Sequence, residues 1–226
     1  MMNQADNYLK YLILAMLAAG TSAFTPQVRA SQTIALTTTP VSDGAIWDSH
    51  KPWVNAPSKI SDADMTAQAG SFYGNLSVTI LEFPLPPKVA LKSSKLVSAR
   101  LIVSINPVEN ATELTLAPID VDIYGYDGES ADGVVTTEDW SAGKKLQRWL
   151  SKGKTVIGYG APMPQIDVTQ MVRKSINEGK EFVGFRFRGE EVEQGVNNSD
   201  IIIFRTAEFA EKYGASNVPT LVLEFE

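Results

Sequence analysis

The chain has 226 residues, with 20 Lys and Arg against 26 Asp and Glu, one His, no Cys and a formal net charge of −6. The absence of cysteine removes thiol nucleophiles, Cys-ligated zinc, iron–sulfur clusters and disulfides, and the single His50 removes every His–His metal motif. The negative balance argues against general nucleic-acid binding, which needs a basic stripe, and the 44% apolar content is enough for a single large core.

In chain order, Lys10 precedes an apolar run from Tyr11 to Ala19 that is followed by the small residues Gly20, Thr21, Ser22 and Ala23. The run is shorter than the about 20 residues a bilayer-spanning helix needs, so residues 1–30 read as a signal peptide, cut near Ala23 or Ala30. Asp6 offsets Lys10, which keeps an uncleaved N-terminal anchor as the alternative. No later segment approaches spanning length. The expectation is a secreted protein, extracellular or periplasmic, with no stable membrane span after cleavage and one domain over 31–226.

From Ser31 onward the dominant period is two. Val97, Ala99, Leu101, Val103 and Ile105 share one face of Leu96–Ile105, opposite Ser98, Arg100 and Ser104. Similar runs cover Thr33–Thr38, Val78–Phe83, Val121–Tyr126, Phe182–Arg188, Ile201–Arg205 and Thr220–Phe225. So many short strands separated by turn-rich stretches predict an all-β fold, a β-sandwich of two packed antiparallel sheets, because one open sheet would leave an apolar face in water. Val168, Met171, Val172 and Ile176 break the pattern with helical spacing, which predicts a short capping helix with Asp167 or Thr169 as N-cap and Gly179 as its stop. Arg173, Lys174 and Glu178 fall on its solvent side. A second helical turn is expected over Ala207–Tyr213, ended by Gly214.

The order of these segments carries a family resemblance. The strand Val78–Phe83 ends in Pro84-Leu85-Pro86 and is followed by Val97–Val103. Val121–Tyr124 leads to an acidic turn and Asp139-Trp140, and Ile166–Thr169 opens a helix closing on Asn177-Glu178-Gly179 before Val183–Arg186. Phe204–Glu208, a Tyr213 loop and Val218–Leu223 complete the series, and Ser42–Trp47 stands for the family's first strand. This succession resembles DNRLRE-type domains and the related carbohydrate-binding module family of archaeal disaggregatases and polysaccharide-associated proteins. The resemblance implies a jelly-roll-like sandwich, secretion, and association with glycan-acting or cell-surface proteins.

Sugar sites pair an aromatic face with planar polar side chains, and Trp47, Trp53 and Tyr73 in the irregular N-terminal third are the aromatic candidates. With Phe185 and Phe187 facing inward, Arg186 and Arg188 project together from the opposite face and form a fork suited to uronate carboxylates. Their plainer role is to bridge Glu82, Glu224 or Glu226. Trp140 reads as core and Trp149 as a loop anchor. Asp127, Glu129 and Asp132 crowd one turn where structural calcium could sit, although the spacing is not that of an EF-hand; a second acidic spot lies at Asp43 and Asp48. No other cofactor is implied.

Chemistry is poorly supported. No Gly-x-Ser-x-Gly elbow accompanies His50. Acid pairs for glycoside hydrolysis arise by chance among 26 carboxylates, and His50 near Trp53 and Tyr73 leaves a lyase conceivable. The leading expectation is a non-catalytic domain that binds polysaccharide or a cell-surface glycan. A structural or adhesive protein of envelope or matrix is the alternative, and a polysaccharide lyase or glycosidase the third.

Overall fold

The computed structural model describes residues 31–48, 59–61, 66–72, 75–91, 95–104, 120–150, 165–189, 200–214 and 218–226. All of these belong to one compact unit, Ser31–Glu226. In order they form β1 (Gln32–Thr37), β2 (Asp43–Asp48), β3 (Lys59–Ser61), β4 (Thr66–Phe72), β5 (Asn75–Pro84), β6 (Leu96–Ile102), β7 (Asp120–Asp127) and β8 (Lys144–Leu150). Then follow β9 (Ile166–Asp167), α1 (Thr169–Asn177), β10 (Phe182–Gly189), β11 (Asp200–Arg205), α2 (Ala207–Tyr213) and β12 (Thr220–Phe225). Among the described residues no helix is long and apolar enough to cross a membrane.

The strands make two antiparallel sheets. The smaller runs β1-β12-β6-β9 and the larger β11-β4-β5-β10-β7-β8, with β2 paired to β5 and carrying β3. Alternation fixes which faces meet. Leu221, Leu223 and Phe225 of β12 and Ala99 and Leu101 of β6 face Leu81 and Phe83 of β5, Val121 and Ile123 of β7, and Val183, Phe185 and Phe187 of β10 in one core. Phe83 and Phe185 meet edge to face, with centroids 6.0 Å apart. This is the two-sheet sandwich the alternating runs predict, with helices at its margins.

The helices follow the sequence closely. α1 buries Val172, Ser175 and Ile176 and rests Met171 on the core. Its N-cap is Val168 rather than Asp167 or Thr169. The reason is that Asp167 Oδ1 already accepts the Thr169 N–H (2.9 Å), while the Thr169 hydroxyl accepts the Ala99 N–H (2.9 Å) and so ties the helix to β6. Arg173, expected in water, donates to the Leu96 carbonyl from Nη2 (3.0 Å) and Nε (3.2 Å). A guanidinium beside a strand end serves carbonyls left without ladder partners. The Trp149 segment, read as a loop, is strand β8, and Trp149 packs against the main core.

The sandwich depends on the aromatic contents of its centre. Phe185→Ala should cost about 3–5 kcal/mol, measured by urea unfolding, because a fully buried ring leaves a cavity between two sheets that cannot collapse onto each other. A loss under about 1 kcal/mol would contradict this placement of the core.

Candidate functional site

The same alternation that sends Phe185 and Phe187 inward leaves Phe182, Gly184, Arg186 and Arg188 on the outer face of β10. In register on that face stand Glu82, Ile80 and Val78 of β5 and Tyr126, Tyr124 and Asp122 of β7. This face is not open. Residues 128–143, between β7 and β8, fold back across it, and the Val135 N–H reaches the Val41 carbonyl just before β2 (2.9 Å). Ile46, Val78, Ile80 and Tyr126 of the sheet close with Ala131, Val135 and Ala142 of the crossing segment into a second buried cluster, against which Trp140 and Phe182 pack.

Glu82 holds this cover down. Its carboxylate is fully buried. One oxygen accepts the Tyr126 hydroxyl (2.9 Å), and the other accepts the N–H groups of Gly133 (2.6 Å) and Asp132 (3.2 Å). Burial nevertheless raises its pKa to about 7, against the opposing pull of those donors and with help from the charges of Asp139 and Asp132. Asp139 is itself buried in the cover and accepts the Thr136 N–H (2.7 Å) and hydroxyl (3.2 Å), and burial lifts its pKa to about 6. Burial and the two nearby carboxylates push the Tyr126 phenol well above its ordinary value.

Two glycines make the close fit. Gly133 has φ +86° and lies where a Cβ would stand 2.6 Å from the Phe182 ring. A Cβ on Gly184 would meet the Tyr126 ring at 2.2 Å, so that ring can lie flat over β10 and reach Glu82 only across glycine.

At the edge of the cover lies Arg186, only 4% exposed. Its guanidinium carbon sits 4.0 Å from the Tyr124 ring centroid, Nη1 donates to the Trp140 carbonyl, and Nε is buried with no hydrogen-bond partner. Among the described residues no carboxylate pairs with it. Burial pulls its pKa down, and the charge of Arg188 adds to this. Arg188, two residues along the same face, is half-buried. Beyond it Asp122 receives Lys145 Nζ (2.7 Å) and Arg148 Nε (2.7 Å), and Arg148 extends to Asp120 (3.4 Å). Partial burial opposes Asp122 ionisation, but these two cations hold its pKa below the usual carboxylate value.

The sequence candidates are thus dispersed. Arg186 and Arg188 share a face as expected, but the first is roofed over. The acids suggested as their partners are used elsewhere: Glu82 by the cover, and Glu224 by Arg100 (2.5 Å) and Ser98 (2.7 Å). Trp47 is half-buried in β2, in register with Ser77 on the inner face. Trp53, Tyr73 and His50 lie outside the described residues, as does the Glu129 side chain. Asp127 accepts the Ser175 hydroxyl (2.7 Å), and exposed Asp132 accepts the Val134 N–H (2.9 Å). Sequence reasoning placed neither Tyr124 nor Trp140 in a site; the first sets its ring against the Arg186 guanidinium and the second gives it a backbone carbonyl. The arrangement gathers the Tyr124 ring, the Arg186 and Arg188 guanidinium groups and the Asp122 carboxylate on one face of β7 and β10, with Glu82 engaged in holding the cover.

No family model matches the chain, and no curated protein matches it. Among solved structures it is similar to a xylan-binding module, CBM15, at 11% identity and a TM-score of 0.43, over 85% of this chain and 97% of that one. It is also similar to a mutant Xylanase10C from Cellvibrio japonicus in complex with xylopentaose, at 12% identity and a TM-score of 0.38, over 79% of this chain and 26% of the xylanase. The chain therefore spans about a quarter of the xylanase's length.

Glu82 sets a pH signature. Its pKa rises from 4.5 to about 7 on folding, so its favourable contribution is complete below 4.5 and lost as pH climbs through 7. Glu82→Gln keeps an acceptor for the cover and removes the titration. Between pH 5 and pH 8 the wild type should lose about 2–3 kcal/mol of stability relative to Glu82→Gln, measured by urea unfolding at each pH. A constant difference across that range would mean that Glu82 does not titrate with folding.

Proposed function

We propose that this chain is a non-catalytic carbohydrate-binding domain that takes an acidic polysaccharide along the rim of the crossing segment. One observation carries the reading: Arg186 is a buried guanidinium with no carboxylate partner among the described residues, set between the Tyr124 ring and the Trp140 carbonyl. A buried charge without a counter-ion is costly unless something else compensates it, and a uronic acid carboxylate seated at Arg188, two residues along the same face, supplies that compensation through space.

Roles divide along the face. Arg186 acts as a positioning residue that holds Tyr124 and the backbone at Trp140. Half-buried Arg188 offers its fork to a sugar carboxylate, and the Tyr124 and Trp140 rings offer apolar faces to pyranose rings. Asp122 and Asp120 accept hydroxyl hydrogens at the far end. The motif order resembling DNRLRE-type domains supports the same class, and the leader-like residues 1–30 support a working place in the extracellular or periplasmic space. With a net charge of −6, attraction to a polyanion has to come from this local basic cluster and not from the whole surface.

Affinity electrophoresis of the full chain through polygalacturonate or alginate, with neutral glycans as controls, tests the reading. Retardation by the polyuronates is expected, weakening as salt rises from 50 to 500 mM. Arg188→Ala should weaken it about tenfold or more while near-UV dichroism stays unchanged, since a charge-assisted pair contributes on the order of 1.5–3 kcal/mol. Free migration through every acidic gel would overturn the proposal. Saturable capture of an envelope protein would then favour the adhesive alternative, and growing unsaturated-uronate absorbance would favour a lyase.

A further inference from the structure

Natural sheets end in strands that are short, charged, bulged or covered, because a bare edge offers its unpaired N–H and C=O groups to any other strand. Most edges of this molecule follow that rule. β8 carries Lys144, Lys145 and Arg148, β3 has three residues with Lys59 among them, and β9 has two before the chain turns into α1. β11 keeps Ile202, Phe204 and Arg205 buried. β1 breaks the rule. It closes the smaller sheet, paired among the described residues only to β12, holds that register unbroken over all six of its residues, and contains no charge and no proline.

Burial marks the same edge as open among the described residues. Ile34 and Leu36 turn towards the core and pack against it yet stay half-buried, and no residue of β1 is buried. Thr33, Ala35 and Thr37 lie on the outer face, in register with Glu224, Val222 and Thr220. Glu224 is the one charge on β12, and Arg100 and Ser98 engage it. A chain of net charge −6 repels its own copies over most of its surface, so contact between copies favours a strand that brings no charge with it. β1 also complements itself. Opposed residues of an antiparallel pair share a face, so two copies of β1 keep inner and outer sides matched with Ala35 on the axis, Thr33 opposite the second copy's Thr37, and Ile34 opposite its Leu36.

We propose that β1 pairs antiparallel with β1 of a second copy of this chain about a twofold axis, so that two four-stranded sheets become one continuous sheet. Such an interface is isologous and uses up both β1 edges, so assembly stops at the dimer. On the inner side Ile34 and Leu36 gain apolar neighbours, and on the outer side threonine meets threonine. The contact is one strand from each copy, which belongs with weak, micromolar association. The inference is independent of the glycan reading, since the Arg188 rim belongs to the larger sheet.

Sedimentation velocity of the full chain from about 1 to about 500 µM should show monomer giving way to dimer, with more than about half the protein dimeric at the top of the range. Hydrogen exchange followed by NMR should show the β1 amides that point away from β12 slowed about tenfold or more at the highest concentration. Ala35→Lys sets two ammonium groups against each other on the axis and should leave a monomer throughout, with Tm unchanged because Ala35 is exposed. Ala35→Glu should do the same, and mixing the two variants should restore a dimer through opposite charges. A monomer at every concentration would overturn the proposal. A dimer that persists in the separate Ala35→Lys and Ala35→Glu proteins would also overturn it, by placing the contact elsewhere. Outward β1 amides already protected in the monomer would do so too, by showing that another part of this chain covers the edge.

Discussion

Glu82 is the constraint on which the outer half of the molecule depends. A carboxylate in the middle of a strand whose residues from Ser77 to Phe83 are all buried has to find its donors inside the protein. It finds them in the Tyr126 hydroxyl and the N–H groups of Asp132 and Gly133, and in doing so draws residues 128–143 down over the sheet. That descent buries Ile46, Val78 and Ile80 on the side facing away from the sandwich, sets Trp140 at the edge, and places its carbonyl on Arg186. Arg186 in turn lies over Tyr124. A single buried acid is thereby connected, contact by contact, to the surface proposed to meet a ligand.

The larger sheet consequently has two dry faces. Its inner face meets the smaller sheet in a core of Leu, Ile, Val and Phe, and its outer face meets a segment of two short 3-10 helices, Gly128–Ser130 and Thr137–Ser141, joined by irregular backbone. Irregular backbone can lie on a sheet only if its own polar groups are served. Here the service comes from Glu82, from Asp139 accepting Thr136, and from the Val41 carbonyl. Asp43 plays a matching part on the inner face, where it receives Thr38 and the first N–H of α2. Both acids have raised pKa values for the same physical reason, removal from water, and both join an irregular segment to β5 or its neighbour.

Much of the sandwich was legible because period-two alternation states which side chains must meet: Leu221, Leu223 and Phe225 are buried and Val222 and Glu224 half-exposed, as their spacing requires. The two helices were equally clear from their apolar spacing and glycine stops. The cover was not. Residues 128–143 have no period, and Glu82 and Arg186 read as solvent-facing simply because they alternate with core residues. Two signals were nevertheless present. Val78 and Ile80 make the outer side of β5 as apolar as its inner side, the mark of a strand buried on both faces. Gly184 in the middle of β10 marks a close approach, here by the Tyr126 ring. The proposed site was legible only as an arginine pair; Tyr124 and Trp140, which meet Arg186 through a ring and a backbone carbonyl, come from a strand position and a crossing segment that no local pattern joins.

The central claim is that the cover's rim, from Trp140 across Tyr124 to Arg188, is where a ligand rests. Heteronuclear NMR of the full chain during titration with a short oligogalacturonide tests it most directly. The account predicts saturable shifts concentrated on the Trp140 indole N–H, the Arg188 side chain and the amides of β7 and β10, with α2 and β1 unmoved. Shifts centred on the smaller sheet, or a spectrum unchanged at millimolar ligand, would contradict it.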